Sequence, residues 1–580
     1  MPGSIGITVQ GQYVVRPGVY STIDASAMVP VRPGQGGIVG FVGPADGGAP
    51  GTVYEFNSYT DAAKVIRNGP SLAYLARIFA PSGFSNGASK VRFVRLGAPT
   101  QATLTASGIT FLSDDYGRHT NNLSVTIAAG AGTTMDVTVG KANDNYTRTY
   151  NCGLAVTVSS TATAPKLVFD HAAKQVKMYE GTIPAIVATL DYPTGTETLA
   201  NLASWVAGRA GWTCTITGNP SMPIAYMDNP VLASAPAIVP GGTPLPASQG
   251  SLIWQINTDP LCPISAGTLA TYTTLTAVVQ TLFTGGTGTA FDVFTSSDYT
   301  TGLIPLESVT VDHLFLADGT LTVQSIGLAH CVKMWNVTRK RWRILYTGGA
   351  PNETSTTALA NAKSLDGPVC YVWNGSGYVN PSTGLVENLG GLGAAAQVCG
   401  MAAGTWESDS LTNKTITAVS LENPNVQDSV IDQLLIGGVT PIAYDPASGA
   451  PTIIQAITTY QKDANVSYRK LQGLRIQVGL HKLCQAVLSQ FVGAPQDLAT
   501  GQAIANNVAK ALDLRTMSPE RPGGLLTQGF SGGKVTPSWS NLRVVGDGLD
   551  SWSIFFEAHP VGETAYIPVQ IKLTPVLISL

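Results

Sequence analysis

The chain ends in an apolar strand. From Ile567 to Leu580 the sequence alternates in the β manner up to the final residue, with Ile567, Val569, Ile571 and Leu573 on one face and Gln570 and Lys572 on the other. Chain ends are usually polar and frayed. A long apolar strand at a free end invites aggregation unless a partner covers it. The other terminus has the same habit: Ile5, Ile7 and Val9 alternate with Gly6, Thr8 and Gln10, and Tyr13 to Val15 adds a second short strand. Two strand-forming ends flanking a large body leave two arrangements. Either both ends pair inside the molecule, or the chain hands them to neighbouring copies and adds strands to their sheets through main-chain hydrogen bonds.

At 580 residues the body is too long for one core, and roughly three or four domains are expected. The net charge of −3 gives no basic excess for holding nucleic acid. Charged residues make up only 12 %, about half the usual share. So sparse a charge fits a surface covered in an assembly, and it also fits a secreted β-rich protein. No basic and apolar leader precedes Ile5, and no apolar run reaches membrane-spanning length, so neither export nor membrane insertion is expected. The seven cysteines are odd in number, scattered and without CxxC pairs, which argues against a disulfide framework or a zinc site. Cytosolic synthesis with reduced thiols is the simplest reading.

Along the chain the texture changes several times. Residues 1–30 read as an extended arm. Residues 31–99 read as the first part of an α/β core, with strands at Ile38–Val42 and Lys90–Arg95 and helices at Ser58–Ile66 and Ser71–Phe79. Residues 100–217 are rich in Thr, Ala and Ser and read as an inserted β-rich domain. Residues 218–310 read as a Pro/Gly-rich linker and a second β-rich insert, with one helix around Leu275–Phe283. From 311 to 560 helices and strands alternate again, which predicts a layered α/β sheet. Within this part lie a helix at Leu321–Trp335, a small-residue helix at Gly391–Gly404, a strand from Thr412 to Ser420 and a long helix from Tyr468 to Phe491. Residues 561–580 form the C-terminal strand arm. The expected class is therefore α+β multidomain, with a layered core built from both ends of the chain, mostly β inserts and extended terminal arms.

Candidate chemistry is thin. Gly83-Phe-Ser85-Asn-Gly87 and Gly529-Phe-Ser531-Gly-Gly533 match the nucleophile-elbow spacing, but both sit in loops before strands rather than between a strand and a helix. The six histidines are widely spaced, with no metal-binding pattern, and no phosphate loop or dinucleotide fingerprint is present. No cofactor is expected. The one dense charge cluster is Arg339, Lys340, Arg341 and Arg343, interrupted by Trp342. It reads as a phosphate grip, a solvated turn, or an electrostatic contact with the acidic face of another subunit, for which Glu422, Asp428 and Asp432 are candidates.

In order and spacing, the same segments resemble a family, the contractile tail sheath proteins of myoviruses and related injection systems. The resemblance runs through Arg16-Pro-Gly-Val-Tyr20, Gly40-Phe-Val-Gly-Pro-Ala45 and Val91-Arg-Phe-Val-Arg95. It continues through Ser410-Leu-Thr-Asn-Lys414, Gly437-Gly-Val-Thr-Pro-Ile442, Tyr468 to Arg475, Phe491-Val-Gly-Ala-Pro495 and His559-Pro-Val561. Gln477 departs from it, at a position where many relatives carry an acidic residue. The resemblance implies stacked six-membered rings around an inner tube protein, bounded by baseplate and tail terminator proteins. It implies arms that exchange strands between subunits, and contraction that drives the tube through a host envelope for genome ejection. It also implies assembly in the bacterial cytoplasm, a place in the virion tail, no enzymatic activity and no direct contact with nucleic acid. The alternatives that the residues leave open are a secreted or surface β-rich adhesin and a hydrolase using Ser85 or Ser531.

Overall fold

A computed structural model describes residues 37–562, except 133, 142–145, 194, 229–231, 337–338, 464–465, 519–522, 532–533 and 547–550, together with the short strands at 7–9 and 12–14. Its centre is one nine-stranded sheet. The strand order is Lys414–Thr415, Pro451–Ile453, Val439–Tyr444, Val369–Trp373, Ile344–Gly348, His313–Leu316, Ile38–Gly43, Lys90–Arg95 and Val53–Phe56. The six middle strands are parallel. The outer ones run antiparallel. His313–Leu316 pairs with Ile38–Gly43 in the register His313↔Val39, so segments nearly three hundred residues apart become direct neighbours.

Alternation along the buried strands divides their side chains between two helical layers. Val39, Phe41, Phe93, Phe315, Tyr346, Cys370 and Val372 enter one core, with the helices Tyr59–Ile66, Pro70–Phe79, Gly390–Gly404 and the start of Leu471–Leu488. Val42, Val94, Leu314, Leu316, Leu345, Val369 and Tyr371 enter the other, with the helices Ser296–Leu303, Leu321–Trp335, Ser355–Ser364 and Asp428–Ile436. The helix Gly390–Gly404 is buried nearly all round. Its small residues allow that: a Cβ added at Gly400 would lie 2.3 Å from the Ile78 carbonyl oxygen, and one at Gly391 would lie 2.6 Å from that of Val372.

The inserts are nested rather than consecutive. Residues from Ala102 to Cys152 and from Leu252 to Phe283 share one core, while Ala155 to Ala247 share another. The fifteen-residue strand Tyr146–Ser160 belongs to both. Its first half pairs with Met135–Lys141 and its second half with Trp212–Ile216 and Thr243–Ala247, with a register shift between Leu154 and Val156. The boundary expected at 217/218 therefore falls inside one packed unit. The expected linker is part of its core, since Met222, Ile224, Met227, Ile238 and Leu245 are all buried there.

Two element assignments also change. The segment read as a helix around Leu275–Phe283 is a strand, Val278–Leu282, on the edge of the insert sheet. Its β-branched run pairs with Leu123–Ala129. The strand expected from Thr412 to Ser420 breaks into two short strands, Lys414–Thr415 and Ser420–Leu421. Between them the backbone is satisfied elsewhere: Thr417 N–H donates to the Pro81 carbonyl and the Gln397 side chain donates to the Thr417 carbonyl.

The last described unit is separate. Ile476, Ile504, Val508, Leu512, Leu525 and Leu526 form a small core between the end of the long helix, the helix Leu498–Leu514 and a hairpin.

Candidate assembly interface

The C-terminal hairpin pairs Trp539–Gly546 with Trp552–Ala558, from Trp539↔Ala558 to Gly546↔Trp552. Alternation turns Trp539, Leu542, Val544, Trp552, Ile554 and Phe556 onto the small core and turns Asn541, Arg543, Val545 and Phe555 outward. No third strand joins this pair among the described residues, so both outer edges carry rows of N–H and C=O groups with no sheet partner. Two-stranded sheets are marginal in isolation, and exposed edges of seven or eight residues are templates for further strands.

The candidate donor strands are only partly described. Ile7 and Val9 lie in Ile7–Val9 and Tyr13 in Gln12–Val14. The two strands pair antiparallel with Ile7↔Val14, Thr8↔Tyr13 and Val9↔Gln12. Ile5, Val15, Ile567, Val569, Ile571 and Leu573 lie outside the described residues. The chain reaches its C-terminal segment from the edge of the small core, where Val561 N–H donates to the Leu525 carbonyl. Val561 and Gly562 border a cleft of roughly 1170 Å³. Its other walls include Phe84, Trp406, Asp409, Gln472 and Lys414, the last on the edge strand of the main sheet.

The basic run is not a uniform surface patch. Arg343 is completely buried and donates to the carbonyls of Leu306 and Val309, with His330 Nε2 against its other amine. The expectation that Arg343 makes an external contact is corrected here, because the turn at Pro305–Ser308 turns its carbonyls inward and captures the guanidinium. Arg341 donates to the Glu307 carbonyl. The Glu307 carboxylate bridges Lys333 and Arg339, at 2.5 and 3.6 Å. Lys340 is exposed, at a left-handed turn position with φ 55°.

Among the described residues, the remaining candidates show no shared reaction centre. The Ser85 hydroxyl accepts from Gly87 N–H, and no histidine or carboxylate is hydrogen-bonded to it among the described residues. Ser531 lies in the short strand Gly529–Ser531. His481 stacks on Trp342 with ring centroids 4.4 Å apart. Among the described residues no group of His, Cys, Asp or Glu is placed to hold a metal ion, and no helix is long and apolar enough to cross a membrane.

What sequence reasoning missed is a set of buried arginines that tie units together. Arg475, on the long helix, donates to the carbonyls of Ala402, Thr405, Trp406 and Asp409 at 2.7–3.0 Å, closing the C-terminus of the small-residue helix. Arg95 donates to the carbonyls of Gly48, Tyr116 and Gly288, joining the core to both roots of the insert. Beside it, burial alone would raise the Asp115 carboxyl. Hydrogen bonds from His119, Gly48 N–H and Arg67 outweigh that and hold it well below the usual carboxylate range.

No family model matches the chain. It is 25 % identical over 482 residues to the tail sheath protein of Bacillus phage SP01, covering 80 % of this chain and 82 % of the relative. It is 24 % identical over 486 residues to a putative tail sheath protein of Enterococcus phage phiEF24C, covering 77 % and 79 %. Among solved structures, the sheath tail protein from Desulfitobacterium hafniense aligns over 96 % of this chain and 100 % of its own, with a TM-score of 0.53 and 15 % identity. The sheath tail protein from Listeria innocua aligns over 91 % and 93 %, with a TM-score of 0.53 and 14 % identity. Sequence along about four-fifths of the chain and fold along nearly all of it agree, and they make this chain a relative of the phage tail sheath proteins.

Proposed function

We propose that the chain is the structural subunit of a contractile tail sheath and has no enzymatic activity. Copies form hexameric rings stacked around an inner tube protein, between a baseplate and a tail terminator. The terminal arms link neighbours by strand addition. The observation that carries this reading is the C-terminal hairpin, whose two long edges have no strand partner among the described residues, in a chain whose own ends read as strands. An arm from one neighbour on each edge would turn a marginal pair into a four-stranded sheet. The nine-stranded core would move as a body, and contraction would repack such bodies while the exchanged strands hold. Contraction would drive the tube through a host envelope, and the subunit would act in the virion tail after assembly in the host cytoplasm.

Negative-stain electron microscopy of the concentrated full chain, alone and with a tube protein, tests the reading. Hollow tubes of regular helical symmetry are expected. Compact isolated particles under both conditions would contradict it.

A further inference from the structure

The main sheet is charged differently at its two ends. Parallel strands place all their C-terminal ends, and the loops that follow them, along one edge. Reading across that edge, Val439–Tyr444 is followed by Asp445, Ile344–Gly348 by Glu353 and His313–Leu316 by Asp318. Val369–Trp373 delivers Gly375, whose N–H binds Glu422. The helix Asp428–Ile436 starts at the same edge: Asp428 and Asp432 line a groove of roughly 540 Å³ with Tyr444 and Pro446, at the end of the neighbouring strand. None of these six carboxylates has an ion-pair partner among the described residues. Their bonds are to neutral donors instead. Asp318 accepts from Thr320 N–H, Glu422 from Asn352 N–H and Asn388, Glu353 from Tyr371 and Asp445 from Ser448. Burial makes Glu353 a weaker acid, and Asp428 and Asp432 are exposed. From Ile344 to Asn413 the sequence contains a single basic residue, Lys363, and it lies at the opposite edge.

That opposite edge is basic. Each crossover helix returns the chain there, so the ends of Leu321–Trp335 and Ser355–Ser364 bring Lys333 and Lys363. Arg339 and the exposed Lys340 precede Ile344–Gly348. Lys462 follows Gln461, whose N–H binds Asp366 at the same edge. The acids at this edge include Glu307, already bridged by Lys333 and Arg339, Asp312, paired with Lys482, and Glu55, paired with Lys90 and Arg92, together with Asp366 and Asp463. In a chain with so few charges, the exposed Lys340 and Lys363 at one edge and the exposed Asp428 and Asp432 at the other set the two ends of the sheet apart.

We infer that the basic N-terminal edge of this sheet docks on the acidic C-terminal edge of a second copy, with Lys340 and Lys363 facing Asp428 and Asp432. The contact is heterologous, a different surface on each side, and such contacts generate open helical arrays rather than closed dimers. The inference rests on the self-assembly proposed above and adds an axis of attraction that does not involve the arms. Exposed pairs of this kind steer and align more than they bind, so the contact is salt-sensitive.

Three full-length chains test it: the parent, Asp428→Lys with Asp432→Lys, and Lys340→Glu with Lys363→Glu. The critical concentration for polymer is read by sedimentation, and folding by thermal unfolding. Each variant should need at least about tenfold more protein than the parent at low salt. An equimolar mixture of the two variants should polymerise near the parent's concentration, because each then offers the edge that the other lacks. The parent's critical concentration should itself rise on going from roughly 50 mM to roughly 500 mM salt. A parent polymer insensitive to salt would overturn the contact. So would variants that assemble as the parent does, or a mixture that stays as weak as its folded components. A parent that never polymerises would count against this contact and the sheath reading together, whereas arm dependence without charge dependence would sink this contact alone.

Discussion

Arg475 shows how much one buried side chain holds here. It is fully enclosed, and its amines satisfy four carbonyls at the end of the small-residue helix, so replacing it strands those oxygens without water. Arg475→Met should cost about 3 kcal/mol or more in urea unfolding, and Arg475→Lys should recover little, because an ammonium cannot span the same oxygens. Buried histidines add a pH dependence. Burial and the adjacent Arg343 charge push His330 down to about 3, and His313 is pushed down in the same direction by full burial. The unfolded chain takes up these protons near pH 6.5 and the folded chain does not. Stability is therefore complete above about pH 6.5 and is lost as the pH falls toward 3. Urea midpoints measured across that window should fall more shallowly for His330→Gln than for the parent. Arg475 and Arg343 were illegible in the sequence for one reason: their partners are main-chain oxygens, which leave no acidic residue to pair with by eye. Arg343 sits in a run that reads as surface, and only the tertiary approach of Leu306 and Val309 draws it inside.

Among the elements, periodicity was legible along much of the main sheet and the helices that cover it. The helices at Leu321–Trp335 and Gly390–Gly404 and the parallel strands stand within a residue or two of where their patterns place them. The failures include the buried helix Ser248–Thr258, in a stretch read as linker and short strands, and two segments at sheet edges. Val278–Leu282 is a short apolar run that fits either period, and only its pairing with Leu123–Ala129 decides the matter. The segment after Thr415 has strand-like residues but spends its hydrogen bonds on Gln397 and Pro81. The small-residue helix makes a sharper prediction. Gly400→Ala forces a methyl against the Ile78 carbonyl, where backbone rather than a flexible side chain must give way, and should destabilise by about 1–3 kcal/mol. The same change at Gly384, where an added Cβ would meet nothing within 4 Å, removes no space. Its left-handed φ of 70° still strains an alanine. Thermal unfolding of both variants separates packing from backbone strain.

For the whole molecule, the joining of residues 31–99 to the C-terminal half was legible from the return of helix–strand alternation, and the sheet order makes it concrete. The nesting of the inserts was not. Composition changes along the chain mark where texture shifts, whereas Tyr146–Ser160 crosses between two cores without any such change. The arrangement that remains is a nine-stranded core, a nested insert tied to it through Arg95 and Asp115, and a small C-terminal unit with a two-stranded sheet. Its central claim is that strands from neighbouring copies complete that sheet. Electron microscopy of the full chain beside chains lacking residues 1–20 or 567–580 tests this most directly, with circular dichroism to verify folding. The account predicts tubes from the full chain, and folded monomers that never polymerise from either truncation. Normal tubes from both truncated chains would contradict it.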